Sequence, residues 1–196
     1  MATRKHSHLT KYNPIEHIVA FCRYKKILKY VGNEIDLLDV GCGYNGDLLY
    51  YLSNKIKSGF GLDLSVNSEK NGNKIKLITW DLNSKTFPEL PLFDAAACLA
   101  VAEHVDNPNN LIKHIYNSLK NGGVLLLTVP TWKAKPVVEF AAFKLKIISK
   151  EEIIDHKRYF NKEEIVSLCK SAGFSDIKHS YFQLGLNNFV LARKNK

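Results

Sequence analysis

The chain has 196 residues, 45% of them apolar, which is enough for one core of ordinary domain size. No stretch reaches the roughly 18 to 20 apolar residues of a membrane span, and none follows the basic N-terminus to make a secretory signal. Four singly placed cysteines argue against a metal site or a disulfide framework and favour a cytoplasmic location, and a net charge of +9 without a basic run does not favour a nucleic-acid partner.

Periodic apolar residues predict a first helix over Pro14–Tyr30, closed by Gly32 and Asn33. The chain then alternates between short apolar runs, typical of buried parallel strands, and helical segments. The predicted strands are Ile35–Val40, Gly59–Leu64, Ile75–Trp80, Phe93–Leu99, Val124–Val129, Ile177–Phe182 and Phe189–Ala192. The predicted helices between them are Asp47–Ile56, Pro108–Leu119 and Asn161–Ala172, and Asp81–Leu92 is predicted to be a loop.

The ends of two helices carry capping signals. We expect Asn121 to Gly123 to end the helix over Pro108–Leu119 with a left-handed C-cap. Asn161 is the predicted N-cap of the helix that Gly173 closes.

Strands that alternate with helices predict an α/β domain of three layers. Its seven-stranded sheet would be mostly parallel, with a C-terminal antiparallel strand and helices on both faces.

We expect residues 1–196 to form one domain. Residues 1–32 would be an N-terminal helical cap, and residues 131–160 an insertion on the substrate side. The segment Trp132–Lys150 mixes apolar residues with lysines and predicts a helix from about Pro136. It is either a lid over the substrate that also touches lipid peripherally, or a helix packed on the domain, and the packed helix is slightly favoured.

A glycine-rich turn follows the first strand. Gly41, Gly43 and Gly46 have the spacing G-x-G-x-x-G between a buried strand and a helix, the context in which the main chain approaches a nucleotide-like ligand closely. Asp63 ends the second strand, where an acid can accept hydrogen bonds from both ribose hydroxyls. These two features alone also fit a nicotinamide enzyme.

Further motifs resemble those of the class I S-adenosylmethionine-dependent methyltransferases, especially the small-molecule O-methyltransferases that include the ubiquinone type. The resemblance spans about residues 30–193 and implies a Rossmann-like fold. The matching motifs are Asp39–Gly43 (D-x-G-x-G), Asp63, Asp81-Leu82, Phe93-Asp94 with Ala102–Val105, Leu119–Pro130, and His156–Phe160 with Glu164-Ile165 and Ala172–Phe174.

The resemblance implies S-adenosylmethionine as cofactor and a role for each of the three matching acids at the ends of the first three strands. Asp39 would face the amino group of its methionine moiety, Asp63 the ribose and Asp81 the adenine. The other implied cofactor contacts are Gly41, Cys42, Gly43, Leu64, Leu82, Leu99 and, from the N-terminal cap, Tyr12. Leu99–Ala102 lacks the polar donor of some relatives and the N/D-P-P-Y signature of amino-methylating enzymes.

Methyl transfer mainly requires that the protein position the reactants and remove water from them. An oxygen nucleophile also benefits from a base that titrates near neutral pH. His156 and His104 match family positions and are the catalytic candidates. For His104 the alternative is a structural cap after the fourth strand. Arg158 would either bind a carboxylate or phosphate of the substrate or form a surface salt bridge. The neighbouring Tyr159 is a second candidate for substrate contact.

The favoured function is therefore methyl transfer to an oxygen of a small molecule such as a sugar or another metabolite. The alternatives are a nicotinamide-dependent oxidoreductase and a non-catalytic cofactor-binding partner of another enzyme. RNA methylation has only the net charge in its favour. The acceptor and the oligomeric state stay open, because acceptor pockets form from the least regular segments.

Overall fold

A computed structural model describes residues 14–143 and 157–195. Its strands are β1 (Ile35–Val40), β2 (Ile56–Asp63), β3 (Ile75–Thr79), β4 (Phe93–Leu99), β5 (Leu119–Pro130), β6 (Ser175–Phe182) and β7 (Asn187–Arg193). Its helices are α1 (Pro14–Leu28), α2 (Asp47–Tyr51), α3 (Pro108–Ser118), α4 (Ala134–Phe143) and α5 (Lys162–Ala172), with a 3-10 turn at Ser68–Lys70. Within the described ranges, no helix has the length and apolar content that a membrane span requires.

The strands form a seven-stranded sheet in the order β3-β2-β1-β4-β5-β7-β6. The pairs from β3 to β5 are parallel, and β7 runs antiparallel to both of its neighbours. The predicted mostly parallel sheet with a C-terminal antiparallel strand is confirmed. From β1 the chain first adds β2 and β3 on one side and then β4 and β5 on the other. The carboxyl ends of β1 and β4 therefore flank the crevice where such sheets bind ligands.

Helices cover both faces of the sheet and complete three layers. On one face, Leu111 of α3 and Ile165 of α5 pack in a common core with Leu38 of β1. On the other face, Ile27 of α1 and Leu49 of α2 pack with Leu37 and with side chains of β7. Alternate residues of a strand point to opposite faces, and both faces of these strands are apolar, so each face must be covered.

The start and end of α5 follow the sequence signals. The Asn161 side chain accepts a hydrogen bond from the Glu164 amide at 2.8 Å, and the Glu164 carboxylate accepts one from the Asn161 amide at 2.7 Å. This reciprocal pair is a capping box, which satisfies two amides that the helix itself leaves without partners. Gly173 ends the helix in the left-handed region, with φ of 108°.

The second predicted helix is shorter than expected. Its predicted range ran to Ile56, but α2 ends at Tyr51 and Ile56 is already the first residue of β2. Ile56 is fully buried and pairs with Ile35 of β1. The prediction was wrong here because buried strand pairing outweighs the helical period of the sequence.

The predicted left-handed C-cap at Asn121 to Gly123 is wrong as well. Helix α3 ends at Ser118, its C-cap Leu119 is extended, and Leu119 pairs with Phe93 as the first residue of β5. Gly122, with φ of 78°, lies inside β5, where the ladder to β4 is irregular. A Cβ on Gly123 would lie 2.8 Å from the Lys120 carbonyl oxygen. The two glycines therefore allow the strand to depart from the regular ladder at this point.

Paired charges hold the amino-terminal edge of the sheet. Lys120 Nζ lies 2.9 Å from Asp36 Oδ2 and 3.0 Å from Asp94 Oδ1, which ties β5 to β1 and β4. The Asp94 carboxylate also accepts a hydrogen bond from the Asp36 amide at 2.9 Å. The hydrogen bond from Lys120 holds the pKa of Asp36 below its usual value. The three charged side chains are paired with one another. The candidate ligand contacts lie at the opposite, carboxyl-terminal edge of the sheet.

Candidate active site

The turn after β1 is built from glycines. Gly41 and Gly43 have φ of 81° and 70°, values that residues with a Cβ disfavour. The Gly41 and Cys42 amides donate to the Leu62 carbonyl of β2 at 2.7 and 3.1 Å. The turn is thus anchored to the carboxyl end of the neighbouring strand.

The two glycines differ in what surrounds them. A Cβ on Gly41 would lie 2.1 Å from Cγ2 of Val101, so the turn packs tightly on the segment that follows β4. A Cβ on Gly43 would meet no described heavy atom within 4 Å, so its α-carbon faces open space. Backbone that is fixed on one side and open on the other suits a ligand that lies directly on the main chain.

Two predicted acids border this turn. Asp63, the last residue of β2, accepts a hydrogen bond from the Gly43 amide through Oδ2 at 2.9 Å. Asp39, one residue before the end of β1, is only 3% exposed. Burial, with added repulsion from the charges of Asp63 and Asp47, raises the pKa of Asp39 to about 8. A carboxyl group in this environment gains strongly from a cation that arrives beside it.

The remaining predicted cofactor residues lie along the same edge. Asp81 is exposed two residues beyond β3, and its Oδ1 accepts a hydrogen bond from the Asn83 amide at 2.9 Å. Leu64 is 39% exposed directly after β2. Cys42 is buried in the turn, and Leu82 and Leu99 are half-buried. The sheet brings these residues to one edge, whereas the last cofactor candidate, Tyr12, lies outside the described residues.

The catalytic candidate His104 and the substrate candidate Arg158 lie at the segment after β4. His104 is half-buried in the turn that follows this strand, and its amide donates to the Val101 carbonyl at 2.9 Å. Arg158 donates from Nη2 to the Asp106 carbonyl at 3.0 Å. Tyr159 is 7% exposed. Burial raises the pKa of its hydroxyl.

The predicted lid segment exposes apolar side chains in its described part. Val137 and Phe140 of α4 are 48% and 56% exposed, and Trp132 before the helix is 52% exposed. Ala134 at the helix start is buried, so α4 meets the domain at its first residue. Its role as a lid or as a packed helix stays a prediction. Residues 144–156, which include the catalytic candidate His156, lie outside the described part of the chain.

Three buried polar side chains at this end of the sheet received no role from the sequence, although Glu103 belongs to the matching motif Ala102–Val105. Glu103 Oε2, Thr128 Oγ1 and Asn187 Oδ1 are buried and have no hydrogen-bond partner among the described residues. The signals for Glu103 are its place in that motif and its position as an acid directly after the apolar Ala102. Asn187 fitted a turn and Thr128 an apolar strand, and neither pattern reveals which polar atoms stay unpaired.

Comparisons with known proteins agree with this geometry. A family model described as a methyltransferase domain matches residues 16–179. The ubiquinone biosynthesis O-methyltransferase of Idiomarina loihiensis is 24% identical, over 81% of this chain and 70% of that protein. The phosphoethanolamine N-methyltransferase of Triticum aestivum is 29% identical over 72% of this chain and 28% of that longer protein.

A solved structure has the same fold. The S-adenosylmethionine dependent methyltransferase from Mesorhizobium loti superposes with a TM-score of 0.65 at 16% identity, over 89% of this chain and 97% of that one. The family match covers most of the chain and includes the glycine turn, both bordering acids and the segment after β4. The chain therefore belongs to the class I S-adenosylmethionine-dependent methyltransferases.

Proposed function

We propose that this methyltransferase acts on a hydroxyl oxygen of a small acceptor that has an apolar body. The observation that carries the proposal is the pair of buried oxygens, Thr128 Oγ1 and Asn187 Oδ1, without partners among the described residues. A buried polar atom that stays without a hydrogen bond costs about 1–3 kcal/mol. A small ligand with hydroxyl groups supplies the missing partners.

The cofactor side fits S-adenosylmethionine by its donor set. The open face at Gly43 admits the methionine moiety, and the buried Asp39 carboxyl suits its ammonium group. Asp63 would hold the ribose and Asp81 the adenine. The bound cofactor supplies an electrophilic methyl group. The protein contributes positioning and the exclusion of water.

The two unpaired oxygens belong to the α1 face of the sheet. Leu127 and Val129 of β5 contribute to the core under α3 and α5, so Thr128 between them points the other way. Asn187 Nδ2 donates to Gln183 Oε1 at 2.6 Å, and Gln183 Nε2 donates to the Val19 carbonyl of α1 at 3.1 Å. Both residues therefore lie on the side of the sheet that α1 covers.

Thr128 is also close to the cofactor crevice. It pairs in register with Leu99, the last residue of β4. The Ala100 amide donates to the Thr128 carbonyl at 2.9 Å. An acceptor hydroxyl bonded to Thr128 would thus lie beside the segment that borders the glycine turn.

Exposed apolar side chains border this region. Leu184 in the β6–β7 turn is 101% exposed, and Trp132 is 52% exposed. Thr131 Oγ1 donates to the Gly185 carbonyl at 2.9 Å, so these two apolar residues lie on adjoining segments. An apolar rim over a polar interior suits an amphipathic acceptor. The Idiomarina relative is an O-methyltransferase, which supports this acceptor class.

Methylation of a phosphorylated amine, the activity of the Triticum aestivum relative, has less support. A phosphate needs free cationic donors, but Lys157 Nζ lies 2.6 Å from Asp106 Oδ1 and Arg158 donates to the Asp106 carbonyl at 3.0 Å. Both of these cations on the substrate side are therefore engaged by Asp106.

Thr128→Val removes the hydroxyl at nearly constant volume and tests the acceptor site. We expect KM for the acceptor to rise about two- to tenfold, the equivalent of one hydrogen bond, with the affinity for S-adenosylhomocysteine unchanged. The measurement is transfer of a labelled methyl group to 4-hexylresorcinol, octyl glucoside and phosphoethanolamine, with resorcinol as the matched acceptor without a chain.

Each outcome of that assay bears on the proposal. Turnover of 4-hexylresorcinol or octyl glucoside well above resorcinol and phosphoethanolamine supports it and separates phenol from sugar acceptors. Preference for phosphoethanolamine would contradict it. Binding of S-adenosylhomocysteine by calorimetry, weakened at least about tenfold by Asp63→Ala, without turnover of any acceptor would favour the non-catalytic alternative.

A further inference from the structure

A buried carboxyl group without an assigned role belongs to the segment that follows β4 and packs on the glycine turn. Glu103 is 1% exposed, and its Oε2 has no hydrogen-bond partner within the described ranges. Val101, two residues earlier, is the side chain that a Cβ on Gly41 would meet at 2.1 Å. Glu103 thus belongs to the segment that packs directly on the turn, just beyond the carboxyl end of β4.

The segment after β4 is held firmly in place. The Lys157 amide donates to the Glu103 carbonyl at 3.0 Å, and the Phe160 amide donates to the Pro130 carbonyl at 3.3 Å. These two contacts join the segment before α5 to the ends of β4 and β5. A fixed backbone reduces the freedom of the Glu103 side chain, which a group that meets a substrate requires.

Three charged or titratable groups, on α1, on β4 and in the segment before α5, interact electrostatically with Glu103. Arg23 of α1 favours its ionised form, but burial is the larger influence and raises the pKa of Glu103 to about 7. Cys98 of β4 and Tyr159 are neutral near pH 7, because burial raises the pKa of both groups. Among these groups, Glu103 is the one whose protonation changes near neutral pH.

We propose that Glu103, whose buried Oε2 has no hydrogen-bond partner among the described residues and which follows Val101 on the segment packed against the glycine turn, accepts the proton of the acceptor hydroxyl during methyl transfer. This inference rests on the proposed function. A bond forms between the acceptor oxygen and the methyl carbon, and the bond from carbon to sulfur breaks with its electron pair moving to sulfur. The hydroxyl proton moves to Glu103 Oε2, which later releases it to solvent.

This assignment differs from the sequence expectation of a histidine base. His104 is the next residue, but its position in the turn after β4 equally fits a structural cap. Glu103 combines burial, an unpaired oxygen and titration near neutral pH, the properties that a general base needs. The competing role for Glu103 is a purely structural charge that balances Arg23.

The test compares Glu103→Gln with Glu163→Gln, the same chemical change at an exposed position of α5. For transfer to 4-hexylresorcinol, we expect kcat of Glu103→Gln to fall about 10²- to 10⁴-fold, with unchanged affinity for S-adenosylhomocysteine. With S-adenosylmethionine kept saturating at every pH, kcat/KM for the phenol should rise with pH and level off above about 7 in the unmodified protein, and Glu103→Gln should lose this dependence on pH. Glu163→Gln should retain both properties.

Infrared difference spectroscopy provides a readout without turnover. The protonated carboxyl band of Glu103, identified by its loss in Glu103→Gln, should disappear as pH rises through about 7 and should shift when 4-hexylresorcinol binds with S-adenosylhomocysteine. An unchanged kcat and pH profile in Glu103→Gln, or a carboxyl band that does not shift when the phenol binds, would overturn this inference and leave the proposed function standing. Failure of the unmodified protein to methylate either 4-hexylresorcinol or octyl glucoside would overturn the proposed function and this inference with it.

Discussion

Replacing Gly41 by alanine is expected to lower the free energy of unfolding by about 2–5 kcal/mol. Part of the loss is backbone strain, since an L-residue in the left-handed region costs roughly 1–2 kcal/mol. The rest is overpacking of about 1–3 kcal/mol, because the new methyl group would lie 2.1 Å from Val101 Cγ2. Urea unfolding without ligand measures the change.

Gly185→Ala is the matched control for the strain alone. Gly185 has φ of 82°, and a Cβ there would meet no described heavy atom within 4 Å. We expect Gly185→Ala to lower the free energy of unfolding by roughly 1–2 kcal/mol. The double variant Gly41→Ala with Val101→Ala should recover part of the loss. Equal destabilisation by Gly41→Ala and Gly185→Ala would show that the packing against Val101 does not matter.

The affinity for S-adenosylhomocysteine should weaken as pH falls, by up to about tenfold per unit below about pH 7. The reason is that the cofactor ammonium binds the ionised form of Asp39, whose pKa in the free protein is about 8. Below that pKa the ionised fraction falls about tenfold for each unit, equivalent to about 1.4 kcal/mol. Calorimetric titration at several pH values measures the slope.

The Asp39→Asn variant should bind S-adenosylhomocysteine weakly, and its affinity should depend little on pH. The same variant has a predictable effect on stability. Since the folded pKa of Asp39 is raised above its unfolded value, its ionisation opposes folding as pH rises from about 4 toward about 8. The ligand-free Asn variant should therefore gain stability over the unmodified protein across this range. A pH-independent affinity of the unmodified protein would remove Asp39 from the ammonium site.

The element pattern could be predicted from the chain wherever one local signal dominated. The apolar runs of β1 and β4 predicted their bounds correctly, and Asn161 with Gly173 predicted both ends of α5. Predictions failed where tertiary pairing competed with local signals. Ile56 joined β2 and Leu119 joined β5 because each is buried against a neighbouring strand.

The sequence by itself determined the fold class and the glycine turn with its acids, because strand periodicity and glycine spacing are local properties of the chain. Only the tertiary structure decided which polar groups remain unpaired. Glu103, Thr128 and Asn187 are far apart in sequence and are identified only when β4, β5, β7 and α1 come together. Burial and hydrogen bonding depend on all neighbours at once, so no local pattern encodes them.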